Sequence, residues 1–398
     1  MDEVDGESHR PTDVAGTLAD VSPALVAALG VEGFTDGLDV GEARGVALLL
    51  VDGLGAELLA EHADRAPALA ELAARGRTLR AGFPATTAVS VTSLGTGLAP
   101  GRHGIVGYSM GVPPLDDPGA PADTVLNTLR WCTHGTTDPV DLRRELPPER
   151  VQAAPTVLER AARAGVAVTS VAPEYQRRSG LTRAALRGGQ FQGVSALGDL
   201  AAAVLDALGS GPAERAFCYA YHGDLDLLGH VHGPGSRPWL MQLGIVDRLV
   251  GAIAEDLPAD TVLAVVADHG MVATDAGRHV DLDTTPALLA GVRHLAGEAR
   301  VRHVFVADGA LDDVAATWRA ELGDAAWVYT RDEAIAAGWF GPEVTDTTRG
   351  RIGDVVAATR GNWVLVRSRS EPTETALVGH HGSLTDAEQH VPLLLTRG

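Results

Sequence analysis

Four short runs of almost uninterrupted apolar residues restrict this chain more than any other feature. They read GVALLLVDG (Gly45 to Gly53), VAVTSVAP (Val166 to Pro173), AFCYAY (Ala216 to Tyr221) and TVLAVVADHG (Thr261 to Gly270). A continuous run, as opposed to an alternating one, suits a strand buried on both faces. Helical patterning follows the first run through Ala56 to Arg75, and alanine-rich amphipathic stretches such as Thr156 to Ala164 and Leu197 to Leu208 precede later ones. Strands alternating with helices imply an α/β fold, with a mainly parallel central sheet carrying helices on both faces. Ligands in such sheets gather beyond the carboxyl ends of the strands. Asp52, Asp226 and the pair Asp268 and His269 fall at those ends or a few residues past them.

Two segments break the rhythm. Residues 113–150 are rich in Pro, Asp and Thr and read as a covering loop; residues 281–360 hold VRHVFVAD, a helical stretch and AWVYT, and read as a smaller α+β insertion. Residues 1–44 are expected as an N-terminal extension ahead of one main domain running from 45 to 398, and no internal repeat stands out. With 398 residues, 45% of them hydrophobic, the chain can bury a substantial core.

The formal net charge is −20, and all 32 basic side chains are Arg. Such acidity disfavours binding to a nucleic-acid polymer, which draws on clustered cations. A small phosphorylated substrate stays compatible with it, because a bound metal ion can overcome a negative global field. Cys132 and Cys218 are far apart and suggest neither a disulfide nor a thiolate metal site. The opening MDEVDGESHRPTD lacks the basic start and apolar core of a signal peptide, and no apolar run reaches membrane-spanning length. Cytoplasmic residence is the resulting expectation.

Asp268 and His269 close a strand and precede Gly270. On a tight turn a carboxylate and an imidazole can face one ion, although a capping Asp beside a solvent-facing His would look the same. In YHGDLDLLGHVHGPG, Asp226 and His230 are four residues apart and share one side of a helical turn. His222, Asp224 and His232 compete with them. GHHGSLT offers His380 and His381, of which we expect one ligand, His381. In FPATTAVSVTSLGTGLAPGRHGI, Thr87 falls at the expected start of a helix, where N–H groups and the helix dipole favour a phosphate. A plain N-cap threonine is the alternative there, and Thr86 could exchange roles with it. Taken together, Asp52, Thr87, Asp226, His230, Asp268, His269 and His381 have complementary roles that independent structural explanations would have to reproduce by coincidence.

VDGLG, FPATT, TGLAPGRHGI, DLDLLGHVHGP, ADHGM and HHGSLT, in that order, resemble the alkaline phosphatase superfamily and most closely its nucleotide pyrophosphatase/phosphodiesterase branch. The resemblance runs from about residue 45 to the C-terminus and is loose over 113–150 and 281–360. It implies an alkaline phosphatase-like catalytic domain with two zinc ions. One would be held by Asp226, His230 and His381, the other by Asp52, Asp268 and His269, with Thr87 bound to the second. It further implies a metal-dependent phosphoester hydrolase, a phosphodiesterase or nucleotide pyrophosphatase, acting through a phosphothreonine intermediate on a small phosphorylated substrate such as a nucleotide.

The chain departs from the branch at two positions. Ser90 stands where an Asn is usual three residues beyond the nucleophile, and is expected to assist the phosphate through its hydroxyl. Thr86 replaces the usual Lys. Phosphomonoester or phosphonate hydrolysis on the same site are the alternatives, and a noncatalytic phosphate-ligand binder is a third. Trp131, Trp239, Trp327 and Trp339 are expected either to stack on a base or to pack in the interior.

Overall fold

The apolar runs become strands of a seven-stranded sheet in a computed structural model that describes residues 14–117, 119–120, 122–209 and 215–398. The opening MDEVDGESHRPTD lies outside the described residues. The central sheet takes β1 (Gly45–Val51), β2 (Arg77–Arg80), β3 (Ala167–Pro173), β4 (Gln190–Val194), β5 (Ala216–His222) and β6 (Thr261–Val266). After the insertion strands β7 (Val292–Glu298), β8 (Val301–Val306), β9 (Ala326–Thr330) and β10 (Val355–Thr359), the C-terminal β11 (His390–Arg397) rejoins it. Its strand order is β2-β11-β6-β1-β5-β3-β4. Pairings on the β1 side are parallel, and only β11 runs against its two neighbours.

Every residue of β1 and β6 is buried. Since successive side chains point to opposite faces, the sheet must be covered on both. Part of that cover comes from α1 (Leu18–Ala28), whose Leu18, Val21 and Leu25 lie in the main core. Residues 14–44, expected as an extension, are thus integrated with the domain. The other helices that matter for the site are α2 (Thr87–Thr96), α3 (Asp224–His232) and α4 (Arg237–Glu255).

The insertion forms an antiparallel sheet in the order β7-β8-β10-β9, with its own core around Val304, Trp318 and Val355. The segment expected as a covering loop contains strand Thr124–Asn127, paired antiparallel with Ser109–Val112 and Cys132–Thr133. Four residues of mixed polarity carry too little alternation for such a strand to be read from sequence. No helix among the described residues is long and apolar enough to cross a membrane.

Candidate active site

Register brings the polar strand ends to one level. Val51 of β1 pairs with His222 of β5, and Leu50 with Val266 of β6. Asp52 leaves β1 with its N–H on the His222 carbonyl at 2.9 Å, and the Gly53 N–H donates to Asp268 Oδ1 at 3.1 Å. Gly53 has φ +76°, and a Cβ there would lie 3.0 Å from Asp226 Cα and Cβ. The turn after β1 therefore packs directly against the first turn of α3, which only glycine permits.

The first donor group is built on α3. Its i, i+4 spacing sets His230 Nε2 3.3 Å from Asp226 Oδ2. His381 Nε2 lies 3.2 Å from His230 Nε2 and 3.9 Å from Asp226 Oδ1. His230 Nδ1 is 2.8 Å from the Gly379 carbonyl, and His381 Nδ1 is 2.9 Å from the Ala85 carbonyl. A carbonyl oxygen only accepts, so Nδ1 carries a proton in both rings, and in the neutral ring Nε2 presents a lone pair. The close approach behind this geometry needs Gly379, where a Cβ would meet the Gly229 carbonyl at 2.3 Å.

The second group centres on His269, whose Nδ1 is 3.0 Å from the Gly270 carbonyl. Its Nε2 lies 3.4 Å from Asp52 Oδ1, 3.5 Å from Asp268 Oδ2 and 3.4 Å from Thr87 Oγ1. Donor atoms of Asp52, Asp226 and His269 all fall within 4.8 Å of one another, as do those of Asp226, His230 and His381. Asp226 thus stands between the two groups. The seven residues singled out in the sequence converge on this one place.

Asp52 Oδ1, Asp226 Oδ1 and Asp268 Oδ2 are buried and have no hydrogen-bond partner. Burial, reinforced by the charges of Asp268 and Asp226, pushes the Asp52 carboxyl well above the usual range, and burial likewise raises Asp226. Burial, then the neighbouring His269 and His230 rings, holds His381 well below the ordinary imidazole value. Three carboxyl groups and three imidazole rings facing each other in a largely buried space lack positive charge. Orphaned carboxylate oxygens beside neutral Nε2 atoms are the donor set that divalent metal ions take, zinc especially.

Thr87 is the first residue of α2, half-buried, with Thr86 at the N-cap. Ser90, expected to assist the phosphate, is fully buried and donates its one proton to the Asp268 carbonyl at 2.7 Å. That bond ties α2 to the segment that follows β6. Of the competing histidines, His380 turns its Nε2 to the Leu377 carbonyl, His222 faces Gln242, and His232 is exposed. Asp224 is exposed as well.

Sequence reasoning missed Tyr221, whose hydroxyl donates to Asp52 Oδ2 at 2.5 Å. The available signal was a polar-tipped aromatic next to the end of an otherwise apolar strand. Glu298 was missed too: it reaches Thr86 from the insertion, 212 residues away. Trp131 and Trp239 are fully buried. Trp327 and Trp339 line a 680 Å³ cavity with Phe83 and Tyr329, and none of the seven site residues borders it.

No curated protein matches the chain in sequence. In structure it is similar to murine ectonucleotide pyrophosphatase/phosphodiesterase 5, with a TM-score of 0.66 and 19% identity, over 88% of this chain and 87% of that one. An inactive form of the murine protein in complex with AMP gives a TM-score of 0.67 at 19% identity, with the same coverage. Phosphonoacetate hydrolase from Sinorhizobium meliloti 1021, in complex with phosphonoacetate, gives 0.64 at 20% identity, over 89% of this chain and 90% of that one. These likenesses concern the fold. Residues 46–384 match the family model of type I phosphodiesterase / nucleotide pyrophosphatase, and with the match spanning most of its length the chain belongs to that family and is a phosphoester hydrolase.

Proposed function

We propose that the protein is a phosphodiesterase or nucleotide pyrophosphatase that uses Thr87 as its nucleophile beside two zinc sites. The observation that carries this reading is the position of Thr87 Oγ1, 3.4 Å from His269 Nε2 at the start of α2, next to three buried carboxylate oxygens without partners. Asp226, His230 and His381 would hold one ion, and Asp52, Asp268 and His269, with Thr87, the other. When bound, the ions would lower the proton affinity of nearby oxygens and offset charge on the nonbridging oxygens.

Thr87 Oγ1, having lost its proton to solvent, attacks phosphorus in line with the leaving oxygen. The bond to that oxygen breaks, the alcohol or phosphate leaves, and Thr87 carries the phosphoryl group as a phosphothreonine. Water then attacks the same phosphorus, the bond to Oγ1 breaks, and the threonine hydroxyl regains a proton. N–H groups at the start of α2 orient the nonbridging oxygens throughout. Arg300 and Arg302, the cations of the hairpin beside Thr86, are committed to Glu388 and Glu371; a diester, with one negative charge on phosphorus, suits such a site better than a dianionic monoester.

The test is metal content by mass spectrometry on wild type and Thr87→Ala, together with hydrolysis of bis-p-nitrophenyl phosphate, p-nitrophenyl phosphate and phosphonoacetate. About two zinc ions per chain in both proteins, with turnover only in wild type and the diester fastest, is the expected result. Undiminished turnover by Thr87→Ala would remove the nucleophile from this account. Preference for phosphonoacetate would move the substrate class to phosphonates.

A further inference from the structure

A threonine at an N-cap ordinarily turns its hydroxyl oxygen to accept an N–H from the second or third helical residue. Thr86 has the extended backbone of an N-cap, φ −142° and ψ 148°, yet its side chain makes no such bond. Its Oγ1 instead donates to Glu298 Oε2 at 3.1 Å. The N–H groups of Val89 and Ser90 are both taken by the Thr86 carbonyl at 3.0 Å. Those of Thr87 and Ala88, the first two of α2, have no acceptor among the described residues.

The hairpin that carries Glu298 is anchored on both sides. Glu298 ends β7 at the tip of the β7–β8 hairpin, and Arg300 in that hairpin forms a fully buried ion pair with Glu388 at 2.6 Å. Glu388 in turn accepts the Ser383 N–H at 2.9 Å, so the hairpin is tied to the loop that carries His381. A Cβ on Gly382 would lie 3.1 Å from the Glu298 carboxyl carbon, which places the carboxyl between that loop and Thr86. Arg302, the next cation along β8, is committed to Glu371 at 2.7 Å. Glu298 Oε1 is buried without a partner.

We propose that Glu298 is a positioning residue that draws the Thr86 hydroxyl away from the start of α2, leaving the N–H groups of Thr87 and Ala88 open to the nonbridging oxygens of a phosphoryl group. The inference rests on the function proposed above. Without Glu298, the Thr86 hydroxyl would rotate to the position its backbone already favours and close one of those donors.

Removing the Thr86 hydroxyl should repair the loss of Glu298, an outcome that a merely structural tie would not produce. Binding of inorganic phosphate is measured by calorimetry on the metal-bound protein, alongside kcat/KM for bis-p-nitrophenyl phosphate. Glu298→Ala should weaken phosphate binding and kcat/KM by about tenfold, the worth of one hydrogen bond to a charged group. Metal content should not change. The double variant Glu298→Ala, Thr86→Val should return to within about threefold of wild type, since valine cannot cap. Thr86→Val alone and Glu298→Gln, whose amide oxygen still accepts, should also stay within about threefold.

A double variant as weak as Glu298→Ala would overturn the proposal. If Glu298→Ala does not fold, Thr86→Val decides: a tenfold loss there would mean that the Thr86 hydroxyl itself serves the ligand. Bis-p-nitrophenyl phosphate left uncleaved by a wild type that binds phosphate would instead overturn the phosphodiesterase function proposed above, and the binding series would still be read.

Discussion

His230 Nε2 and His381 Nε2 face each other at 3.2 Å, and the Nδ1 of each ring lies on a backbone carbonyl. In the neutral rings both Nε2 atoms are acceptors, and two acceptors at that distance repel. A cation between them, completed by Asp226, resolves the conflict. His381→Ala should therefore lower bound zinc from about two ions per chain to about one, with a loss of turnover of at least about a hundredfold. Mass spectrometry of the purified variant reads the first and diester hydrolysis the second; unchanged metal content would mean that His381 is not a ligand.

Tyr221 acts on the other group through Asp52. Its hydroxyl holds Asp52 Oδ2 and leaves Oδ1 facing His269, so it fixes which oxygen is presented to the second site. Tyr221→Phe keeps the ring and removes that constraint. Metal affinity at the Asp52 site should fall about ten- to a hundredfold, as for other outer partners of metal-binding carboxylates. Competition with a chelator measures this, and the group around His230 should be little affected.

Much of this site was legible in the sequence because its residues sit where strand ends and a helical repeat must place them. Asp52 and Asp268 follow directly from two buried runs, and Asp226 with His230 from the i, i+4 rule. His381 and His380 are different: their neighbours in the chain are the same, and only the tertiary partners, the Leu377 carbonyl for His380 and the Ala85 carbonyl for His381, decide which ring enters the site. For Ser90, helix position alone does not reveal that its hydroxyl donates to the Asp268 carbonyl. Tyr221 and Glu298 act through partners 169 and 212 residues away, distances across which no local pattern carries information. For the fold, the long buried strands were readable, whereas the short pairings around Thr124–Asn127 depend on tertiary context.

Gly53 links the two donor groups mechanically, since the backbone after Asp52 touches Asp226. Gly53→Ala meets two penalties: a positive φ, costing about 1 kcal/mol for a residue with a Cβ, and a 3.0 Å contact with Asp226 that forces α3 away. Urea unfolding should show a loss of about 1–3 kcal/mol. Because Asp226 stands between both groups, zinc content and turnover should fall together, and more steeply than stability alone would explain.

Away from the site, His103 makes stability depend on pH. Burial, aided by the nearby Arg351, lowers its pKa to about 3 from 6.5. The reason is visible in its contacts: Nδ1 accepts the Ile105 N–H at 3.1 Å, so the neutral ring carries its proton on Nε2, facing Ser93 Oγ at 3.0 Å. Protonating Nδ1 would set two donors against each other in the interior. The folded pKa lies below the unfolded one, so the unfolded chain binds more protons between pH 6.5 and 3, and the folded state loses stability as pH falls through that window. From pH 7 to pH 5 this single group should cost about 2 kcal/mol. Urea unfolding of His103→Asn at the two pH values should show a smaller drop than wild type by about that amount, whatever its absolute stability. Equal drops would mean that His103 is already free to ionise in the folded protein.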